Sequence, residues 1–232
     1  IRFRPGPALL ISMKPATFSL LVSLALLLTS GGKEPLRRVA DPVQTPGTPA
    51  PGRILLGSGA TPVERTAAEQ LAKHLTEITG REFPIVQSAD GGPVFAVGPG
   101  AARQVAPEID LSWDNLLNDG IVMKTVDGSV VLTGADDAKR GTLYAVQEFL
   151  EEVAGVRWWT PTVTHIPTNP ELRIPELDVR YTPEIRYREV FTNAISPKAW
   201  TTAKEPLVAE FAVRMRLNMG FYRIPDSWGG FS

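Results

Sequence analysis

Arg157, Trp158 and Trp159 stand in a row, and adjacent indoles beside a guanidinium can stack on sugar rings while holding their hydroxyls or carboxylates. The alternative is that one indole fills a core and the other a seam between packed units. Arg186 and Arg188 are two residues apart in a segment that reads as a strand, so they share a face. The two histidines, His74 and His165, have neither the spacing nor the acidic company of a metal site, and no metal ligand is nominated. Gly57-Ser58-Gly59 lies between a strand and a helix, but Pro62 occupies the third glycine position of a dinucleotide fingerprint. Gly98-Pro99-Gly100 fails in the same way at Arg103. Both glycine pairs read as turns, and no cofactor is expected. Asp136-Asp137 suit the positive end of a following helix, while Glu148, Glu151 and Glu152 read as a solvated face. Glycosidic hydrolysis needs two carboxyls flanking the scissile bond; no such pair can be chosen, so no catalytic residue is assigned.

The elements that position these residues begin with a capped helix. Arg53 to Gly57 reads as a short buried strand, after which Thr61 is an N-cap, Pro62 the first helical residue and Glu64 the partner of a capping box. Ala67, Ala68, Leu71, Leu75 and Ile78 recur on one face, and Gly80 suits the left-handed residue past the end. Phe83 to Val86 and Pro93 to Val97 read as strands. Asp127-Gly128 between Gly120 to Val126 and Ser129 to Thr133 is a tight-hairpin signal. A second amphipathic helix is expected from Ala138 to Ala154, ended by Gly155. These pieces predict an α+β fold, a small mixed sheet with two helices packed on one face. Past Gly155 a proline-punctuated stretch crosses to a new strand, Ile185 to Phe191, and a helix, Pro206 to Leu217.

Composition narrows the function classes. The 24 basic and 25 acidic residues nearly cancel, so no overall field would draw the chain to nucleic acid. Cysteine is absent, which removes disulfides, thiolate metal sites and thiol nucleophiles. Met13-Lys14 precede an apolar run from Phe18 to Leu28 and then small residues, the pattern of a cleaved secretory signal, and the run is too short to span a membrane. Residues 1–12 read as upstream of a start at Met13. The expected organisation is 1–32 upstream extension and signal peptide, 33–52 proline-rich linker, 53–180 alpha/beta domain and 181–232 the start of a further unit.

Arg140-Gly141-Thr142-Leu143-Tyr144-Ala145-Val146, then Phe149-Leu150-Glu151-Glu152, then Gly155-Val156-Arg157-Trp158-Trp159 with Pro161, resembles the N-terminal accessory domain of bacterial proteins related to glycoside hydrolase family 67 alpha-glucuronidases. It is also similar to the accessory domain of family 20 beta-hexosaminidases. The resemblance covers roughly Arg53 to Glu189. It implies a small alpha/beta domain that buttresses a TIM-type barrel, of which 181–232 would be a truncated first strand and helix. It also implies that Arg188 matches a sugar-binding arginine on that strand, although Glu189-Val190-Phe191 departs from the hexosaminidase pattern. The expected protein is thus an exported, periplasmic or extracellular glycoside hydrolase-like protein acting on polysaccharide. This part would be non-catalytic, with its own C-terminal barrel as partner, and Arg188, Arg157, Trp158 and Trp159 would be the candidate sugar contacts. The alternative is a free-standing carbohydrate-binding or structural surface module.

Overall fold

The structure, a computed structural model, describes residues 47–189, 206–218 and 224–230. The expected signal segment, most of the expected linker, and Val190-Phe191 of the expected strand lie outside the described residues. The centre is a six-stranded mixed sheet in the order β10-β5-β6-β4-β2-β3, formed by β2 (Ile54–Leu56), β3 (Ile85–Val86), β4 (Phe95–Val97), β5 (Ile121–Val126), β6 (Ser129–Thr133) and β10 (Asp178–Tyr181). β2 pairs in parallel with β3 and β4, and β4 in parallel with β6; β5 runs antiparallel to both β6 and β10.

Two helices cover one face, as the sequence predicts. In α1 (Pro62–Thr79) the Thr61 side chain accepts from the Glu64 amide and the Glu64 side chain accepts from the Thr61 amide, while Gly80 closes the helix at φ 72°. The other helix, α4 (Gly141–Glu152), is shorter at both ends than its apolar pattern suggested. Ile54, Leu56, Phe95, Val97, Met123, Val130 and Leu132 point into one core with Leu71, Leu75 and Ile78 of α1 and Leu143, Val146 and Phe149 of α4. The alternate residues Leu55, Ala96, Val122 and Val131 fill a second, smaller core on the opposite face. That face is covered by α2 (Pro99–Val105), through Ala101 and Ala102, and by Leu116 of the one-turn α3 (Trp113–Leu116). Gly98-Pro99-Gly100 is therefore more than a turn: Pro99 opens a helix, with Gly98 at φ 87° before it.

The hairpin forms as expected. Asp127 and Gly128 both have positive φ, 47° and 78°, which a primed turn requires. Two short ladders flank the sheet: β1 (Thr48–Pro49) with β9 (Arg173–Ile174), and β7 (Arg157–Thr160) with β8 (Val163–His165). The first reaches upstream of Arg53 into residues read as linker, because the Arg173 Nη1 donates to the Gly47 carbonyl at 2.9 Å and buried Ala50 joins the main core.

The later segments belong to the same compact unit as the sheet. A helix forms where one is expected, as α5 (Pro206–Arg214), ending short of Leu217. The expected strand does not form over Ile185–Glu189. Its backbone is held by one residue instead: Asn218 Oδ1 accepts from the Arg188 amide at 2.8 Å, and Asn218 Nδ2 donates to the Arg186 carbonyl at 2.6 Å.

Candidate functional site

The chain around Gly120 builds the most concentrated polar site. Gly120, Gly134 and Gly141 meet backbone to backbone, so closely that a Cβ on Gly141 would lie 2.8 Å from the Gly134 Cα. This contact seats the start of α4 on β5 and β6, and the Asn118 carbonyl accepts from the Arg140 and Gly141 amides at 3.2 and 2.9 Å. As a result Asp119 and Arg140 face each other, with Arg140 Nε donating to Asp119 Oδ1 at 2.8 Å and the guanidinium side chain only 1% exposed.

Asp119 then collects the later segments. Its Oδ2 accepts from Arg188 Nη2 at 2.7 Å and from Asn218 Nδ2 at 2.8 Å. Arg140 Nη1 donates to the Gly229 and Gly230 carbonyls at 3.4 and 3.2 Å. The Tyr144 hydroxyl donates to the Leu217 carbonyl at 3.3 Å, and its ring lies beneath Arg188 at 5.9 Å. Burial pushes the Tyr144 phenol up to about 12, with the Asp119 charge adding to it. A second fastener is aromatic: Arg214 sits between Trp158 and Trp228, its guanidinium carbon 5.6 and 5.5 Å from the two ring centroids.

The four residues singled out from the sequence do not converge. Trp158 is 5% exposed, part of the main core and of the Arg214 slot. Trp159 is 65% exposed, because the strand alternation that turns Trp158 into the core points the next residue the other way. Arg157 donates through Nη1 to the Glu151 and Val156 carbonyls, closing the turn after α4. Arg188 is turned inward: Nε donates to the Arg216 carbonyl and Nη1 to the Ile185 carbonyl, both at 2.7 Å, so all three guanidinium nitrogens bind protein acceptors. Arg186 is exposed and does not share its face, since no strand alternation exists there. Trp158 is thus corrected from a surface sugar contact to a core residue, since its ring packs against His74 of α1 and Arg214 of α5. The pairing of Arg188 with Asp119 had no local signal: the partners are 69 residues apart, and only the buried charge balance of the folded chain joins them.

Elsewhere a cleft of about 450 Å³ lies between β5, β10 and residues 105–110. Four of its rim charges are paired, Lys124 with Asp178 at 3.2 Å and Arg180 with Asp110 at 3.9 Å, and none of the four candidates lines it. Among the described residues, no group of three or more His, Cys, Asp or Glu could hold a metal ion.

No family profile and no curated protein matches the chain. Solved structures do. A family GH115 4-O-methyl-alpha-glucuronidase with specificity for decorated arabinogalactans superposes with a TM-score of 0.59 at 18% identity, covering 80% of this chain and 28% of that one. The likeness is one of fold. Two mutant forms of Streptomyces plicatus beta-hexosaminidase in complex with the product GlcNAc are also similar, each at 16% identity over 74% of this chain and 30% of theirs, with TM-scores of 0.44 and 0.42. The expected likeness to a glucuronidase domain therefore reappears in the fold, in a glucuronidase of family 115 where the sequence pointed to family 67. The chain spans less than a third of the length of the solved proteins described here.

Proposed function

We propose that this chain is the non-catalytic accessory part of an exported glycoside hydrolase-like protein that acts on polysaccharide, with the opening of a catalytic barrel from about Tyr181. The observation that carries the reading is the fold likeness, in which 80% of this chain matches only 28% of a much longer alpha-glucuronidase. On this reading bond cleavage falls to the rest of a longer protein. The polar site supports the same reading, because Asp119 and Arg140 spend their hydrogen bonds on residues 188, 218, 229 and 230. After α5 the chain returns beside Arg188, where the Asn218 amide donates to the Arg188 carbonyl at 3.2 Å. Uronic-acid-containing and amino-sugar glycans are the substrate classes proposed.

The test is an assay of the purified chain on aryl uronides and aryl amino-sugar glycosides, together with the intact mass of the native protein. No turnover, and a native mass well above the 25.2 kDa of this chain, are expected. Turnover by the chain alone would overturn the accessory reading. Export is tested by N-terminal sequencing of the mature protein, which should begin near Gly32.

One observation favours a second reading, a carbohydrate-binding surface. Trp159 stands open beside the exposed Val163 and the Thr160 and Thr162 hydroxyls, which suits stacking on a sugar ring. On this reading Trp159→Ala abolishes glycan binding by calorimetry with the melting temperature unchanged. Retained binding in that variant removes it.

A further inference from the structure

The slot that holds Arg214 has a neighbour that can change charge. His74 of α1 meets the Trp158 ring edge to face, with centroids 5.8 Å apart and planes at 79°. Gln70, one turn earlier, ties both groups together: its carbonyl lies 2.7 Å from His74 Nδ1 and its Oε1 accepts from Arg214 Nη2 at 3.4 Å. His74 and Arg214 therefore share one indole and one glutamine. The carbonyl partner makes Nδ1 the protonated nitrogen of the neutral ring, so an added proton goes to Nε2.

We propose that His74 is an acid-sensitive latch: its protonation puts a second cation against Trp158, drives Arg214 from between Trp158 and Trp228, and frees α5 and residues 224–228 from the sheet-and-helix layer.

The charges around the ring set the balance. Arg214 of α5, held to Glu210 at 3.5 Å, opposes a charged imidazole, as does Lys73 on the same helix; Glu77, also on α1, favours one. Arg157 of β7 is engaged with the carbonyls of Glu151 and Val156, and Asp226 of the 3₁₀ turn is not among the groups that act on the ring. Burial is the largest influence and depresses the imidazole, and the Gln70 bond only partly offsets it. The sign follows. A histidine depressed in the folded state leaves stability intact above its ordinary value of about 6.5, and stability falls as pH drops below that toward the folded value. The Asp119 network does not involve this ring, so Arg188, Asn218 and the Arg140 bonds to the Gly229 and Gly230 carbonyls should stay in place while α5 opens.

Hydrogen exchange on the whole chain, compared between about pH 7.5 and 4.5 after correction for intrinsic rates, reads the latch directly. Residues 206–214 and 224–228 are expected to exchange severalfold faster at the acid end, while 141–152 holds. The midpoint should coincide with titration of the His74 ring protons by NMR, and His74→Gln should abolish the acid response. An undiminished response in His74→Gln, or acceleration before the ring titrates, overturns the proposal. If His74→Gln does not fold, Arg214→Met removes the other cation. His74 should then titrate at higher pH without an acid-driven opening, and a full wild-type response in that variant refutes the latch.

Discussion

Asp119→Ala removes the acceptor on which three donors converge. Arg140, 1% exposed, would remain as a buried guanidinium without its carboxylate, and Arg188, 17% exposed, would lose the bond from Nη2. Breaking a buried ion pair from one side costs about 3–5 kcal/mol. The lower end applies here, because Arg140 keeps the Gly229 and Gly230 carbonyls and Arg188 keeps those of Arg216 and Ile185. At a urea slope of about 2 kcal/mol per molar, a loss of about 3 kcal/mol lowers the unfolding midpoint by roughly 1.5 M. The double variant Asp119→Leu with Arg140→Met deletes both charges and should recover at least about 1 kcal/mol of that loss. A single-variant loss below about 1 kcal/mol, the range of exposed pairs, would refute the claim that this carboxylate is the hub of the junction.

Trp158→Ala should cost about 3–5 kcal/mol in a chemical melt, since the indole is buried against His74 and Arg214. Gly141→Ala decides between two opposed effects: helix propensity would gain up to about 1 kcal/mol, but a Cβ 2.8 Å from the Gly134 Cα overpacks a backbone contact. A net loss of about 1–3 kcal/mol is expected, and a stabilised variant would show that the helix start can shift. Tyr144, pushed up to about 12, should be a late phenol to ionise in an ultraviolet alkaline titration. Because its folded value is raised, the folded state keeps full stability below about pH 10 and loses it as pH rises toward 12; Tyr144→Phe should remove that part of the alkaline loss.

What was legible in the sequence was the short-range chemistry. Thr61, Pro62 and Glu64 lie within one turn, and Asp127-Gly128 is a two-residue turn, so both act before any tertiary contact exists. The alternation in Ile54-Leu55-Leu56 and Val130-Val131-Leu132 likewise assigns residues to the two cores without knowledge of partners. Illegible were the features set by distant partners. Pro49 reads as linker by composition, yet pairs with Arg173 far along the chain. Trp158 and Trp159 must face opposite sides of β7, but which of them is buried depends on the distant helices that pack there. Arg188 could be chosen by type, but nothing near it in sequence announces Asp119, which acts through burial and charge rather than through spacing.

Two of the fasteners that hold the late segments, the Arg214 slot and the Asp119 site, differ in kind, and the difference bears on function. An aromatic slot is worth mainly buried area and tolerates small sliding of the cation within it. The Asp119 site tolerates little: one carboxylate oriented by Arg140 must meet Arg188 and Asn218 together, each at 2.7–2.8 Å, with Asn218 also bonded to the Arg186 carbonyl and the Arg188 amide. Such a buried charged network is poor evidence of added stability, and a well-packed apolar contact would serve stability as well. What it supplies is position. Residues 186–188 and 218 are held in one register against the start of α4, which the glycine contact fixes on the sheet. An accessory layer that buttresses a barrel would need that property, because an error in placing the first strand is carried into every strand paired after it.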